Sequence, residues 1–357
     1  MTDKTSATPE SKSAAPVSSG VPLRVLGRSG LRVSSICLGT MMFGDRTGES
    51  ESFEIVAACR DAGINFIDTA DVYAQGESER ITGRAIAADR NRWILATKVG
   101  NAMGSDPNRR GLSRRRMYQA IDESLQRLGT DHVDLWYLHR EDHDTPLEET
   151  IGAVADIIRA GKVRYLGISN HRSWRIAEIV RLCREAGLPT PAACQPYYNA
   201  FNRMPEVEIL PACSHFGIGV ASYSPIARGV LTGKYAPGET PPEDSRAGRK
   251  DRRIMQSEWR EESLQMAQDI AAHARTRGMT PTQFAVNWVL NNRAITSAIA
   301  GPRTLGQIHE YLTAHQHVFE ARDEALIDSM VTTGHPSTPG YNDPAYPIEG
   351  RQTFTAR

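Results

Sequence analysis

The sequence predicts an α/β fold, a (β/α)8 TIM barrel in which eight parallel strands alternate with helices. Eight apolar runs are separated by segments with helical spacing, and the 357 residues exceed the ~250 that such a barrel needs. A doubly wound sheet would also alternate strands and helices. Its nucleotide-binding turn has the pattern G-x-G-x-x-G, which the glycine-containing turn at residues 39–44 does not match. The barrel is therefore the predicted fold.

The eight strand candidates are continuous apolar runs, which is typical of strands that are covered on both faces. An N-terminal β-hairpin is predicted ahead of them at residues 22–36, because apolar residues flank a Gly27-Arg28-Ser29-Gly30 turn. The strand candidates are residues 36–40, 65–69, 94–98, 133–139, 163–169, 192–196, 219–223 and 295–301.

Helices are predicted between these strands, where apolar residues recur on one helical face, as they do from residue 117 to residue 128. Thr145 and Thr280 are the predicted N-caps of two of them, since each precedes a proline and then a Glu or Gln at the third helical position. Six glycines follow a helix and precede a strand, where a left-handed residue ends the helix. They are Gly63, Gly129, Gly161, Gly187, Gly217 and Gly278.

Three regions are predicted along the chain. Residues 1–20 are rich in Ser, Thr, Ala and Pro without an apolar centre, so we expect a disordered tail rather than a secretory signal. Residues 21–320 would form the barrel, with a long charged loop after the seventh strand at about residues 228–262. Residues 321–357 would form a C-terminal extension over the barrel rim. Long loops at a rim often act as lids, and a surface strap or disorder is the alternative for the tail.

The composition favours a globular protein that acts on a small molecule. The 42 basic and 42 acidic side chains balance, which argues against a nucleic-acid or membrane-surface partner. No apolar stretch approaches the ~18 residues of a membrane helix. The five cysteines lack C-x-x-C spacing, which predicts reduced thiols and a cytoplasmic location. The pattern does not distinguish a monomer from a homo-oligomer.

Four ionisable side chains fall at or just after strand ends. Asp68, Lys98 and His139 lie at the carboxyl ends of the second, third and fourth predicted strands, and Tyr73 follows Asp68 in the next loop. In a barrel, catalytic groups lie at the carboxyl ends of the strands. Taken singly, the aspartate could cap a helix and the histidine could be a satisfied core residue. Together they suit phenol chemistry, because a nearby cation lowers the pKa of a tyrosine from its usual value near 10.

The remaining strand ends carry amide, hydroxyl and aromatic groups, which suit a planar ring that bears an amide. From the first, fifth, sixth, seventh and eighth strands in turn, these residues are Gly39, Thr40 and Met41; Ser169 and Asn170; Gln195; Tyr223, Ser224 and Pro225; and Gly301, Pro302 and Arg303.

These motifs, in this order, resemble the aldo-keto reductase family over about residues 23–310. The resemblance implies a catalytic tetrad of Asp68, Tyr73, Lys98 and His139. It also implies NADPH/NADP+ as the cofactor and a small carbonyl compound or alcohol as the substrate. The cofactor-binding residues that it implies are Gly39, Thr40, Met41, Ser169, Asn170, Gln195, Tyr223, Ser224, Pro225, Ile226, Ala227, Gly229, Leu231, Lys234, Gly301, Arg303 and Gln307.

The resemblance also assigns finer roles. Tyr223 would stack on the nicotinamide ring, and Arg303 would meet a 2′-phosphate, which favours NADPH over NADH. A surface charge at a helix start is the alternative for Arg303. The family segment commonly ends in Glu-Asn, whereas this chain has Glu310-Tyr311, which leaves the adenine contacts open. Substrate contacts are predicted for Met42, Phe43 and Arg140.

Two other functions fit parts of the pattern. Some relatives of the family are cofactor-sensing subunits of larger assemblies with slow turnover, although the intact tetrad favours an enzyme. A metal-dependent hydrolase on the same barrel could use His139, Glu141 and His143. Because this stretch follows a strand rather than lying on a helix, a zinc pair is disfavoured and no metal ligands are predicted.

Overall fold

The computed structural model describes residues 20–346, so the predicted tail before Gly20 and residues 347–357 of the predicted extension lie outside the described residues. Eight parallel strands close into a barrel in chain order, which confirms the predicted fold. They are β3 (Ile36–Gly39), β4 (Phe66–Asp68), β5 (Ile94–Val99), β6 (Val133–Leu138), β7 (Val163–Ser169), β8 (Ala193–Gln195), β9 (Gly219–Tyr223) and β10 (Ser297–Ala300).

The predicted hairpin is also present, as the antiparallel strands β1 (Leu23–Val25) and β2 (Arg32–Ser34). Its turn meets the amino-terminal end of β9, where Arg28 N donates to the carbonyl oxygen of Gly217 at 2.8 Å. Leu26 and Val33 are fully buried in the same apolar cluster that fills the barrel. The hairpin therefore closes the barrel at the end opposite to the strand carboxyl ends.

Helices surround the barrel, and two of them fall where the sequence predicted only a loop or a polar tail. These two, α7 (Arg252–Ser257) and α11 (Ala321–Met330), have short and charged sequences that carry little helical periodicity. The helices are α1 (Glu49–Asp61), α2 (Glu77–Ile86), α3 (Arg114–Leu128), α4 (Leu147–Arg159), α5 (Ser173–Glu185), α6 (Ile209–Phe216), α7 (Arg252–Ser257), α8 (Glu261–Thr276), α9 (Pro281–Asn291), α10 (Leu305–Thr313) and α11 (Ala321–Met330). The predicted boundaries at residues 20 and 320 stay a prediction.

The helix ends test the predicted caps. All six glycines have φ between 63° and 85°, the left-handed conformation that was predicted. Thr280 forms the predicted capping box with Gln283. The Thr145 prediction is wrong, because α4 has Pro146 at its N-cap and no side-chain capping bond. The hydroxyl of Thr145 instead binds the carboxylate of Asp142.

Strand periodicity places the polar residues of the barrel mouth. Phe66, Ala96 and Ala193 are buried in the apolar cluster inside the barrel. Because side chains alternate between the two faces of a strand, the residue two positions later faces the same interior, nearer to the carboxyl end. These later residues are Asp68, Lys98 and Gln195.

The five cysteines are free and buried, in agreement with the prediction of reduced thiols. Burial raises the pKa of the Cys183 thiol to about 12, so this thiol stays protonated at neutral pH. Among residues 20–346, no helix combines the length and the apolar character that a membrane span requires.

Gly83 gives a test of the packing between α2 and α3. A Cβ at this position would lie 2.2 Å from the backbone oxygen of Leu128. Helix propensity alone predicts a gain of about 1 kcal/mol for Gly→Ala, but overlap with a backbone atom cannot be relieved by a rotamer change. We expect Gly83→Ala to lower the free energy of unfolding by about 1–3 kcal/mol, as measured by urea denaturation.

Gly152 in α4 is the matched control. The nearest atom to its added Cβ would be Nη2 of Arg114 at 3.1 Å, the end of a flexible side chain. Gly152→Ala should leave stability unchanged or raise it by up to about 1 kcal/mol. An equal gain from Gly83→Ala would show that α2 and α3 do not approach as described.

Candidate active site

Lys98 is the centre of the polar cluster at the barrel mouth. Its side chain is fully buried, and its ammonium group donates to Oδ2 of Asp68, to the carbonyl oxygen of Thr69 at 2.7 Å and to Oη of Tyr73 at 3.3 Å. An ammonium group has three donors and no acceptor. Its hydrogen-bonding capacity is therefore fully used, and the O–H of Tyr73 remains available to donate elsewhere.

Asp68 is fixed through both of its oxygens. Oδ2 accepts from Lys98, and Oδ1 accepts from Nε2 of Gln195 at 3.0 Å. Burial raises the pKa of Asp68, while Lys98 and Gln195 oppose that shift. Burial lowers the pKa of Lys98, but Asp68 and Tyr73 raise it, and its net pKa lies above the usual value. Because the donors of Lys98 and both oxygens of Asp68 have partners, Asp68 and Lys98 are favoured as an ion pair.

The phenol of Tyr73 is held in its acid form. Burial raises its pKa, and Lys98 lowers it without cancelling the effect of burial, so the net pKa lies above 10. The sequence predicted that Lys98 lowers the pKa of Tyr73. Lys98 does lower it, but burial raises it by more, so the net pKa is not lowered. A protonated phenol beside a buried cation is suited to giving up a proton when a neighbouring group becomes negative.

His139 is neutral at physiological pH. Burial lowers its pKa well below 6.5, and Lys98 and Arg140 add to the shift. Its ring meets that of Tyr73 edge to face, with centroids 5.9 Å apart. A neutral imidazole carries one N–H donor, so His139 can donate one hydrogen bond beside the phenol.

Amide and hydroxyl groups of the next strands are tied into one network. Oγ of Ser169 donates to the carbonyl oxygen of Gln195 at 2.8 Å, and Nδ2 of Asn170 donates to that of His139 at 2.9 Å. Oη of Tyr223 donates to Oδ1 of Asn170 at 2.9 Å. These bonds fix the positions of groups from four strand ends around one opening.

The ring of Tyr223 is partly exposed on one face and supported on the other. The ring of Tyr197 packs against it with a centroid distance of 5.5 Å and a tilt of 30°. The guanidinium of Arg228 lies 5.2 Å from the Tyr197 ring, and Glu258 accepts a hydrogen bond from the Tyr197 hydroxyl. Tyr223 thus offers a rigid aromatic surface to the cavity.

One cavity of about 1170 Å³ joins these groups and continues past the ends of β9 and β10 to α10. Most residues predicted from the sequence line it. They are Asp68, Tyr73 and His139 of the tetrad; Gly39, Met41, Ser169, Asn170, Gln195, Tyr223, Ser224, Pro225, Ile226, Gly229, Lys234, Gly301, Arg303 and Gln307 of the cofactor set; and Met42 of the substrate set.

The structure does not place the other predicted residues on the wall. Thr40, Ala227 and Leu231 are buried behind it, as is Lys98 behind Tyr73. Two residues of the predicted substrate set also lie off the wall, and their contact with a substrate stays a prediction. Phe43 is fully buried in the hydrophobic core, and Arg140 is an exposed side chain whose guanidinium lies 6.0 Å from the Tyr346 ring.

Several wall residues were missed by the sequence reasoning. Arg246 and Arg253 come from the charged segment after β9, and Tyr346 comes from the C-terminal extension. Arg253 forms a bidentate pair with Asp343 at 2.6 and 2.9 Å, which holds the extension beside the cavity. The charge of the segment was the available signal, but no motif showed which arginines turn inwards.

The side chain of Arg303, at the far end of the cavity, is held by contacts with a neighbouring residue. Nη1 of Arg303 donates to the carbonyl oxygen of Asp244 at 3.0 Å, and its guanidinium lies 3.6 Å from that carboxylate. Asp244 is 81% exposed, so this ion pair is weak. Arg303 can therefore exchange this partner for an anionic ligand.

The metal-hydrolase alternative gains no support from the side chains. His143 is largely exposed and lies 3.4 Å from Glu141. Among residues 20–346, no three or more His, Cys, Asp and Glu side chains are arranged to hold a metal ion.

Comparisons with known proteins place these features in a family. The Aldo/keto reductase family model matches residues 35–332. A probable voltage-gated potassium channel subunit beta of Oryza sativa subsp. japonica is 37% identical over 294 residues, covering 81% of this chain and 89% of that protein. An uncharacterized oxidoreductase of Bacillus subtilis is 36% identical over 302 residues, covering 81% and 89%.

An L-glyceraldehyde 3-phosphate reductase of Escherichia coli is 33% identical over 326 residues, covering 87% of this chain and 92% of that protein. These relatives and the family model each span most of the chain. The protein belongs to the aldo/keto reductase family.

Proposed function

We propose that this protein is an NADPH-dependent oxidoreductase that reduces an aldehyde or ketone, or oxidises an alcohol in reverse, with Tyr73 as the proton donor. The contact between Nζ of Lys98 and Oη of Tyr73 at 3.3 Å is the observation that carries the proposal. It leaves the phenolic proton free to face the cavity, beside a neutral imidazole. Relatives described as oxidoreductases support the same reaction class.

The donor groups of the cavity fit NADPH. Ser169, Asn170 and Gln195 would hold a carboxamide, and the ring of Tyr223 would support a planar heterocycle. At the other end, Lys234 and Arg303 would hold phosphate groups, for which ammonium and guanidinium donors are suited. When bound, the reduced nicotinamide supplies the hydride.

The protein's own groups would then manage the charge on the substrate. As the carbonyl carbon accepts the hydride, the π electrons of the C=O bond move to oxygen, which takes the proton of Tyr73. Lys98 stabilises the resulting phenolate, and Asp68 keeps Lys98 in place. His139 donates a hydrogen bond that orients the carbonyl oxygen. Solvent returns a proton to Tyr73 before the next turnover.

A cofactor-sensing subunit is the second candidate. The 37% identity to a protein described as a potassium channel subunit beta favours it. Such a role would use the same cavity to bind the cofactor but would need little turnover. The two candidates therefore differ in rate rather than in the residues of the site.

Replacement of Tyr73 by phenylalanine tests the proposed acid. We expect Tyr73→Phe to lower kcat for reduction of 4-nitrobenzaldehyde by about 10²–10⁴-fold, because general acid catalysis contributes that much. NADPH binding, followed by quenching of protein fluorescence, should be unchanged. A near-wild-type rate in Tyr73→Phe would remove Tyr73 as the acid. If the unmutated protein turns over less than once per minute with every member of a broad carbonyl panel, the sensor is favoured.

The pH dependence follows from two shifted pKa values. Reduction needs Tyr73 in its acid form, and the pKa of Tyr73 lies above its usual value. The pKa of His139 lies well below 6.5, so His139 does not titrate near neutral pH. We expect kcat for reduction to be constant from about pH 7.5 to about 9.5 and to fall only above that range. A steep fall within that range would contradict these assignments.

Arg303 tests the choice of cofactor. A charged hydrogen bond contributes about 1.5–3 kcal/mol, so Arg303→Ala should raise the Kd of NADPH by about 10–100-fold and leave that of NADH unchanged. Calorimetric titration of both cofactors measures this difference. Arg322→Ala is the control, since Arg322 is exposed on α11 and does not line the cavity. Equal weakening of NADPH and NADH would contradict a 2′-phosphate contact.

A further inference from the structure

A buried ion cluster lies behind the loop that carries Tyr73, between that loop, α2 and α3. Within it, Asp71, Glu79 and Arg116 are fully buried, whereas the side chains of Glu123 and Arg127 are 23% and 9% exposed. None of the five lines the cavity. These five residues define the ion cluster: Asp71, Glu79, Arg116, Glu123 and Arg127.

Two short ion pairs form the cluster. Nη2 of Arg116 lies 2.7 Å from Oδ2 of Asp71, and Nε of Arg127 lies 2.6 Å from Oε2 of Glu79. Glu123 lies between the two arginines, 3.6 and 3.8 Å from their Nη1 atoms. Because residues 116, 123 and 127 share one face of α3, a single helix presents both arginines to the loop.

The loop between these pairs is strained. Ala74, Gln75 and Gly76 follow Tyr73 with φ values of 45°, 54° and 92°, all in the left-handed region. Residues other than glycine rarely adopt this conformation, and it persists only where surrounding contacts impose it. Here Asp71 anchors one side of the turn and Glu79 anchors the other.

Arg127 also packs directly on the turn. Its Cδ lies 2.6 Å from the position that a Cβ of Gly76 would occupy. Any side chain at residue 76 would therefore displace the arginine that binds Glu79. The turn and the ion pair thus depend on each other.

The cluster is bonded to the Lys98 strand as well. Oγ1 of Thr97 donates to Oε1 of Glu79 at 2.5 Å, and the backbone N–H of Asp71 donates to the carbonyl oxygen of Lys98 at 3.3 Å. Both partners of the contact between Lys98 and Tyr73 are therefore fixed by the same group of charges.

We propose that the pairs Asp71–Arg116 and Glu79–Arg127 are positioning elements that set the hydroxyl of Tyr73 against Lys98. This inference rests on the proposed role of Tyr73. Buried ion pairs often stabilise a fold no better than apolar residues of the same volume. A role in geometry explains why five charged side chains lie behind a strained turn that follows the proposed acid.

Asp71→Asn is the decisive variant, because it removes the charge and keeps the shape. We expect the single-turnover rate of 4-nitrobenzaldehyde reduction by the enzyme–NADPH complex to fall on the order of tenfold. The Kd of NADPH and the KM of the aldehyde should be unchanged. In a Tyr73→Phe background, Asp71→Asn should cause no further loss, since it acts through the phenol. If Asp71→Asn does not fold, the same measurements on Arg116→Lys test the inference.

Asp323→Asn is the matched control. Asp323 is a fully buried carboxylate that binds Arg277 at 3.0 Å and His273 at 2.7 Å, away from the cavity wall. It should lose stability and keep the wild-type single-turnover rate. A wild-type rate in Asp71→Asn, an equal loss in Asp323→Asn, or additive losses with Tyr73→Phe would overturn the inference. An active Tyr73→Phe enzyme would instead overturn the proposed function.

Discussion

The buried ammonium group of Lys98 is the constraint on which the rest of the site depends. Removing an ion from water costs several kcal/mol unless it is paired and hydrogen-bonded. Here three acceptors satisfy three donors, and one of the acceptors is the phenol of Tyr73. The chain cannot bury Lys98 without bringing Asp68 and Tyr73 to it. Stability and the arrangement of the proposed catalytic groups therefore impose the same geometry.

Barrel closure makes this arrangement attainable. Asp68 and Lys98 belong to neighbouring strands, but Gln195, which binds the second oxygen of Asp68, is on β8, four strands from β4 in a ring of eight. Only a closed ring of strands brings Nε2 of Gln195 within 3.0 Å of Oδ1 of Asp68. The hairpin closes the other end, so the polar groups gather at one mouth. The Tyr73 loop then accepts two non-glycine residues in the left-handed region, each of which costs about 1–2 kcal/mol.

The sequence predicts what depends on local pattern. The sequence correctly predicted the strands covered on both faces, the helix-ending glycines and the Thr280 cap. These features depend on hydrophobic periodicity and turn chemistry, which are properties of short segments. The Thr145 cap was wrong because Asp142, three residues earlier in the same loop, takes its hydroxyl. Phe43 could not be assigned, since an apolar residue beside a cavity and one in the core have the same local pattern. Tyr346 was missed because it lies on the wall through distant contacts.

Under the proposed function, the turnover rate that separates an enzyme from a sensor would depend on the segment after β9 as well as on the proposed tetrad. Arg303 is held by the exposed Asp244, a contact that an anionic ligand can replace at little cost. Arg228, by contrast, is paired with the buried Glu258, and Arg253 is paired bidentately with Asp343 of the extension. Opening the segment would break both of these contacts. Because loop opening often limits turnover, strong pairs here would slow release of the proposed cofactor whatever the rate of the proposed proton transfer.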